Sequence, residues 1–459
     1  MRRFWNAGAA VLLACTQLAD AQIARLPTSE TTLVGRFARG PVDLPLLVSL
    51  AEFKATFGSS SPAMWPAEVQ ARQFFANGGS ALHVVRLRES GSWTDAFIGS
   101  RAELSGIHAL TPLSNLRTFI APEVSLQSSA AFALGFAAVR EFAQTHRVFF
   151  ILDPPPGLGS ATAMINWINV AVPEEARFCA VYFPYLQVQV DATAMTVTAG
   201  GAMAAVFAKS DAAQGIWKSP AGTAFPLQAS GTTPSINSSD GTALNNANVC
   251  AIREFAGSGV VPFGSRTLHR GTDADRFISV ARTEDLVASS IGRGLAFTAI
   301  RDNGEPLWAD VRLQVATFLH ALWTEGAFQG ATASEAYFVR CDASTTTAAD
   351  FAAHRVNVLY GTALLRANEF ELTTLSSSTF DAVRAIPVPQ LRYRRFGEQV
   401  HLAYPTEAGF DYVLQAADDL ARQGWAGGET IRGDGAWRRL FVPIDDERGF
   451  HRLLVTPAR

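Results

Sequence analysis

Short apolar runs alternate with helical patterns along the first half of the chain. Residues 148–152 (VFFIL) and 179–183 (CAVYF) contain no charged side chain, so neither run has the polar face of a strand that meets solvent. A helical pattern over residues 130–143 precedes the first run, and another over residues 161–170 separates the two runs. This alternation predicts a mainly parallel sheet that is covered by helices.

Further elements follow from the same periodicities. Strands are predicted at 31–36, 45–48, 82–87, 116–121, 336–341 and 356–360, and a helix at 66–75. The clearest helix is predicted over 310–325, before a glycine that ends it at Gly326. Its apolar face consists of Val311, Val315, Phe318, Leu319 and Leu322.

The C-terminal part has a different composition. Residues 219–247 are rich in Gly, Ser, Thr, Pro and Asn and predict a long loop, whereas residues 373–379 (TTLSSST) predict a flexible linker. Beyond them, apolar and polar residues alternate with period two in 400–404, 412–415, 439–442 and 452–455. This pattern predicts a small antiparallel β-module, which the linker would hold to one side of the rest.

Composition excludes several classes of protein. The 459 residues are 48% hydrophobic and 17% charged, which is typical of a globular protein and excludes disorder, collagen and coiled coil. The net charge of -3 gives no indication of a nucleic-acid partner. The four cysteines are too sparse for a disulfide scaffold. Beyond residue 20 no apolar run approaches the roughly 18 residues of a spanning helix, so we predict no stable membrane span.

The N-terminus has the three parts of a secretory signal peptide. Arg2 and Arg3 form a basic start, residues 7–14 form a short apolar core, and Ala19-Asp20-Ala21 has the small-residue pattern of a cleavage site before Gln22. Residues 12–15 also resemble a lipobox, which would make Cys15 a lipid-modified N-terminus. The alternatives are an amphipathic first helix or a start codon placed too early.

No catalytic motif is present in the sequence. It contains no nucleophile elbow, zinc-protease helix motif, phosphate-binding loop or complete dinucleotide-binding fingerprint. The acidic groups at 174–175, 418–419 and 445–447 are predicted to be solvated turns. Three arginines, Arg392, Arg394 and Arg395, are predicted to shield a strand edge. We therefore predict a protein that is not an enzyme, with no catalytic, cofactor-binding or metal-binding residue and no cofactor.

A set of ordered segments resembles the tail sheath protein family of contractile phage tails and contractile injection systems. The most specific segment is 259–268 (GVVPFGSRTL), and the whole set spans about residues 23–376. The earlier segments are 28–29, 34–41, 49, 52–53, 57–58, 74–79, 84–86, 151–155, 181–185, 208–211 and 215–222. The later segments are 244–245, 252–253, 277–282, 290–291, 303, 307–308, 326–330, 337–342 and 368–370.

The resemblance implies a structural subunit that assembles with itself into rings or a helical homo-oligomer around an inner tube protein. It implies a sheath-like α/β body with a helix-covered mixed sheet, in which terminal arms add strands to a neighbour's sheet. The predicted regions are a signal peptide (1–21), an N-terminal β-rich region (22–95), a central α/β domain (96–250), a C-terminal core domain (251–376), a linker (377–390) and an appended module (391–459).

Both ends depart from the family pattern. The signal-like segment replaces the usual N-terminal arm, and the appended module is similar to a β-sandwich-like domain of exported proteins in some environmental bacteria. The alternative function is therefore an exported, non-contractile protein that uses this module for cell-surface attachment or carbohydrate binding. Stacking of Tyr404, Phe410, Tyr412, Trp425 or Trp437 on sugars is possible chemically, but packing in a small core is the commoner fate of such residues.

The signal-like segment makes a prediction about the mature chain. Expressed in a bacterial host with secretion intact, the protein should leave the cytoplasm with Gln22 as its first residue, or with a lipid on Cys15. Mass spectrometry of the purified protein checks this. Cytoplasmic protein that retains residues 1–21 unmodified would contradict it.

Overall fold

The computed structural model describes residues 23–58, 64–172, 176–191, 193–271, 273–381, 385–417, 425–443 and 450–458. The signal peptide predicted at 1–21, with Cys15, lies outside these residues. The acidic groups predicted as turns at 174–175, 418–419 and 445–447 also lie outside them. Among the helices that the structure describes, none has the length and apolar character needed to cross a membrane.

One mixed eight-stranded sheet forms the centre of the body. The first eleven strands are β1 (Thr31–Gly35), β2 (Leu46–Val48), β3 (Leu82–Arg86), β4 (Thr118–Ile120), β5 (Phe149–Leu152), β6 (Cys179–Phe183), β7 (Tyr185–Val190), β8 (Thr193–Val197), β9 (Gly231–Thr233), β10 (Cys250–Phe255) and β11 (Gly259–Pro262). The sheet order is β11-β10-β6-β5-β4-β1-β3-β2, and only the two outer strands are antiparallel to their neighbours. The mainly parallel sheet predicted from the apolar runs is confirmed. Strands β7, β8 and β9 form a separate small sheet.

Helices cover both faces of this sheet. They are α1 (Leu50–Thr56), α2 (Pro66–Ala76), α3 (Trp93–Ile98), α4 (Ser129–His146), α5 (Ala161–Ala171), α6 (Gly200–Gln214) and α7 (Ser238–Asn246). Val34 and Phe150 point to the cluster that contains α4 and α5, whereas their neighbours Leu33 and Phe149 point to the cluster that contains α2 and α6. Because both faces are buried, the central strands β5 and β6 consist entirely of apolar residues.

The second layer of the body follows in the chain. It contains α8 (Ile278–Gly294), the 3₁₀ turn Leu295–Ile300, α9 (Glu305–Thr324), α10 (Ala333–Ala336), β12 (Tyr337–Arg340), α11 (Ala348–Ala352), β13 (Arg355–Thr362) and β14 (Glu371–Ser378). Strands β12, β13 and β14 form an antiparallel sheet in that order. All five residues of the predicted apolar face of α9 are buried, which confirms that prediction.

The C-terminal residues form two small antiparallel sheets, as the period-two pattern predicts. Their strands are β15 (Arg392–Phe396), β16 (Gln399–Pro405), β17 (Phe410–Ala417), β18 (Ala426–Arg432), β19 (Trp437–Pro443) and β20 (Phe450–Pro457). The sheet orders are β15-β16-β19 and β18-β17-β20. The Tyr404 ring of one sheet lies 5.9 Å from the Tyr412 ring of the other, and Phe410 joins them in one buried cluster. These three aromatics are core residues and are not exposed for sugar stacking.

The prediction of a flexible linker at 373–379 is wrong for most of its length. Those residues belong to β14, which pairs in register with β13 from Glu371 to Ser378. The serine content did not prevent a strand because the polar groups bond to the neighbouring 3₁₀ turn: the Ser377 hydroxyl donates to Leu295 O (3.3 Å) and Ser378 O accepts from Thr298 (2.6 Å). The long loop predicted at 219–247 likewise contains β9 and α7.

The C-terminal module packs against the body. Arg439 on β19 donates to Pro45 O, and Arg394 on β15 donates to Glu103 O at 3.1 Å. At the end of α8, Arg293 Nε lies 3.9 Å from the Asp434 carboxylate. The expectation of a module held to one side by a flexible linker is therefore wrong.

Burial on α9 makes a prediction about stability. Leu319 is fully buried, so Leu319→Ala should lower the free energy of unfolding by about 2–5 kcal/mol through lost burial and a residual cavity. Leu313 lies on the same helix but is 66% exposed. Leu313→Ala should therefore change the free energy of unfolding by less than about 0.5 kcal/mol. Urea denaturation of both variants measures the difference. Equal midpoints for the two variants would mean that the buried face of α9 is wrongly assigned.

Candidate assembly interface

The described residues contain no group of three or more His, Cys, Asp or Glu side chains placed to hold a metal ion. The cysteines among them are buried free thiols, and burial raises the pKa of Cys250 and Cys341 to about 12. At neutral pH these two groups are therefore thiols, which are poor nucleophiles compared with thiolates.

The carboxyl end of β5 is where an open α/β sheet usually binds a ligand. Here Asp153 occupies that position, is fully buried, and accepts a hydrogen bond from Gly200 N at 2.9 Å. Burial raises the pKa of Asp153 to about 7. A Cβ atom at position 200 would lie 2.7 Å from the carboxylate, so the start of α6 closes this end of the sheet.

Helix α8 joins the eight-stranded sheet to the second layer of the body. The two terminal nitrogens of Arg282 on α8 donate to the two carboxylate oxygens of Asp211 on α6, at 2.9 and 2.7 Å. Both side chains are almost completely buried, and the guanidinium also lies 4.5 Å from the centre of the Phe207 ring. Burial raises the pKa of Asp211, while Arg282 opposes this rise.

A second group of charges lies beside α8, which contributes Glu284 and Asp285 to it. Arg177, just before β6, contacts three carboxylates: Asp275 at 2.7 Å, Asp285 at 3.2 Å, and Glu284. Burial raises the pKa of Glu284 to about 8, and repulsion from the other carboxylates adds to the rise although Arg177 opposes it. Burial also raises the pKa of Glu371, the first residue of β14, with Asp275 adding repulsion. Arg147 also lies 3.6 Å from the Asp285 carboxylate, so two arginines contact three carboxylates at the joint between the layers, with Glu371 nearby.

Strand β14 forms one edge of the three-stranded sheet. Thr379 N, just after the strand, donates to His354 O at 2.8 Å. In an antiparallel ladder, residues that bond to the neighbouring strand alternate with residues that face away from it. The backbone groups that face away from β13 are accordingly those of Leu372, Thr374, Ser376 and Ser378.

Only one end of this outer edge is covered. The Thr298 hydroxyl donates to Ser378 O, whereas no strand of the described part of the chain pairs with the remainder. Glu371 is the only charged residue of β14, and the strand contains no proline. Natural edge strands usually carry such groups to prevent pairing, so this edge is suited to accept another strand.

The segment before β1 runs across α8. Leu26 N donates to the Ser290 hydroxyl at 3.2 Å, and the Leu26 side chain packs in a cluster with Ile216 and Leu286. Arg25 forms an ion pair with Glu325 at the end of α9. Residues 23–30 are thus part of the joint between the layers.

Sequence reasoning predicted neither α6 nor α8, so it missed the pair Asp211 and Arg282. A signal was present, because both residues lie in segments that carry the family resemblance, 208–211 and 277–282. Trp308 and Asn303 are a similar case: the indole nitrogen of Trp308 donates to Asn303 Oδ1 at 2.8 Å. The segments that resemble the family therefore include residues that bond to one another, locally for Trp308 and Asn303 and across the fold for Arg282 and Asp211.

Comparison with known proteins gave matches at the level of structure. No family model matches the sequence, and no curated protein matches it. The chain is similar to the helical sheath of the anti-feeding prophage in the contracted state, with 21% identity and a TM-score of 0.60 over 86% of this chain and 99% of that chain. It is also similar to the contracted sheath of the extracellular contractile injection system PVC, with 22% identity and a TM-score of 0.60 over 77% and 94%.

A tail sheath protein from Listeria innocua is more distant, with 11% identity and a TM-score of 0.53 over 79% of this chain and 98% of that chain. These similarities show that the chain has the fold of contractile tail sheath proteins. The resemblance read from the sequence is confirmed at that level.

The charge cluster at the joint makes a prediction about pH. The pKa of Glu284 rises on folding from the ordinary 4.5 to about 8, so its contribution to stability is lost as pH rises through that window. Glu284→Gln mimics the protonated group. It should match the wild type near pH 5 and exceed it in free energy of unfolding near pH 8, by on the order of 2 kcal/mol.

Urea denaturation of both proteins between pH 5 and pH 8 measures this difference. Glu89→Gln is the control, because Glu89 is an exposed carboxylate that pairs with Arg86 away from the joint. The difference in free energy of unfolding between Glu89→Gln and the wild type should stay constant over the same pH range. If the corresponding difference for Glu284→Gln shrinks as pH rises, the raised pKa of Glu284 is contradicted.

Proposed function

We propose that this chain is a structural subunit of a contractile sheath, and that its copies assemble into rings or a helical tube around an inner tube. One observation carries the proposal: a body with the sheath fold has an open strand edge at β14. A strand of a neighbouring copy would pair with Leu372, Thr374 and Ser376. Backbone hydrogen bonds of this kind link subunits whatever the side chains are.

The joint around α8 supports the second part of the proposal, which is the ability to change shape. A sheath that contracts must keep its subunits folded while the interfaces between them repack. The buried pair of Arg282 and Asp211 holds the two layers of one subunit together, because breaking such a pair leaves an uncompensated buried charge. Movement would then occur between subunits at strand edges and surface contacts.

A second candidate function follows from the position of the module. Arg439, Arg394 and Arg293 fix the module against the body, so it forms part of one surface with it. This arrangement favours an exported protein that presents body and module together for attachment to a cell surface. Such a protein would remain dispersed in solution.

A proline variant of β14 tests the first proposal. The N–H of Thr374 faces away from β13, so Thr374→Pro removes a hydrogen-bond donor from the outer edge while the ladder inside the subunit stays intact. We expect electron microscopy to show rings or tubes for the wild-type chain and dispersed particles for Thr374→Pro. The thermal midpoint of the dispersed variant should stay close to that of the wild type.

Thr374→Val is the matched control, because it changes the same side chain and keeps the backbone donor. It should assemble like the wild type. Assembly of Thr374→Pro would show that β14 is not the linking edge. A wild-type chain that stays dispersed at all concentrations would contradict the sheath proposal and favour the second candidate.

A further inference from the structure

A cavity of about 410 Å³ lies where the C-terminal module meets the body. The body contributes Asp43, Leu44 and Glu103, and the module contributes residues of β15, β16 and β19. This volume is within the range of sites that bind small molecules. The cavity is separate from the β14 edge and from the joint at α8.

One face of the module's sheet supplies the polar wall. In the register of β15, β16 and β19, His401 is opposite both Arg394 and Phe441, and Ala403 is opposite both Arg392 and Arg439. Because side chains two residues apart share a face, all three arginines and the histidine point to the same side. Arg394 and Arg439 bond to the body, so that side is the one that meets it.

His401 has hydrogen-bonding groups without protein partners. It is 8% exposed, and neither ring nitrogen has a partner among the described residues. Its ring packs edge-on against Phe441 at 4.4 Å. Burial and the nearby Arg439 lower the pKa of His401, so the ring is neutral at pH 7 and has one donor and one acceptor to offer. A buried polar group of this kind needs an occupant of the cavity.

Arg439 forms no direct ion pair with a described carboxylate. It donates to Pro45 O and lies 5.5 Å from the Phe441 ring, and the Glu30 carboxylate acts on its charge only from beyond ion-pairing distance. Burial lowers the pKa of Arg439 to about 10, which still leaves it cationic at neutral pH. A partly desolvated cation without an anion is unfavourable, so the cavity is suited to an anionic ligand.

The charges around the cavity indicate the charge of that ligand. Among the residues that line the cavity, the arginines Arg392, Arg394 and Arg439 outnumber the carboxylates Asp43 and Glu103 by one. Just outside the lining, Glu30 acts on Arg439 and Arg88 acts on Asp43, so these two opposite charges leave the excess at one positive charge, which one carboxylate would balance. A doubly charged phosphate would exceed it and would be repelled by the two acidic side chains.

We propose that this cavity binds a small monocarboxylic acid that carries hydroxyl groups and has about the size of a sugar acid. Its carboxylate pairs with Arg439, and a hydroxyl group bonds to the unpartnered ring nitrogens of His401. Water alone would satisfy His401 but would leave Arg439 without an anion in direct contact. The proposal does not depend on the sheath function, since every contact is within one chain.

Calorimetry of the full chain at pH 7 tests this with three probes: glucuronate, glucose and inorganic phosphate. We expect measurable binding of glucuronate and affinities for glucose and phosphate that are lower by roughly tenfold or more, since hydrogen bonds to charged groups are the stronger ones. Arg439→Gln should weaken glucuronate binding by about the same factor. Arg395→Gln should leave it unchanged, because Arg395 is on the opposite face of β15.

A second variant keeps the test decisive if Arg439→Gln does not fold. His401→Phe retains the ring packing and the arginine but removes both nitrogens, so glucuronate should bind more weakly while its preference over phosphate remains. Absence of glucuronate binding, equal binding of glucose, tighter binding of phosphate, or unchanged binding by a folded Arg439→Gln variant would each overturn the proposal.

Discussion

The buried ion pair between Arg282 and Asp211 is the contact on which the two-layer body depends. It joins α8 to α6, and α6 packs against the eight-stranded sheet while α8 packs on the second layer. Two parallel hydrogen bonds fix the orientation of the guanidinium relative to the carboxylate. The pair therefore fixes the orientation of α8 relative to α6, beside the apolar contacts of Ile278 and Ala281 with the sheet.

The chain segments around α8 follow from that fixed orientation. With α8 held, Ser290 is placed to accept from Leu26 N, and Arg293 reaches both Asn115 and Asp434. The start of the described chain, the centre of the body and the C-terminal module therefore all contact one helix.

Much of the fold could be predicted because its strands are buried on both faces. Runs such as Cys179–Phe183 consist only of apolar residues, so the sequence identifies them as buried strands. Helix α9 has a regular apolar stripe, which identifies it as an amphipathic helix. Helix α6 escaped prediction because it is buried nearly all round and its small residues show no stripe. Helix α8 escaped because buried Arg282, Thr283 and Asp285 interrupt its apolar pattern. Charges buried for a structural reason look like surface residues in a sequence.

The candidate interface was harder to predict than the fold. The sequence of β14 predicts a linker because its serine and threonine residues give no apolar alternation. Its pairing with β13 and its bonds to the 3₁₀ turn show that it is a strand. The docking of the module could not be predicted either, since it depends on single long-range contacts such as Arg439 with Pro45. Contacts between residues hundreds of positions apart leave no local pattern.

The position of the module bears on whether it interferes with assembly. In the sequence, the module follows where a linking arm of the sheath family would depart, so the two could compete for one surface. In the described residues, however, the module bonds to the body at Pro45, Glu103 and Arg293, and none of these three residues belongs to β14. The strand edge and the docked module therefore occupy different surfaces. A neighbour's strand could add to β14 while the module stays in place, so the appended module and an assembling body are compatible in one subunit.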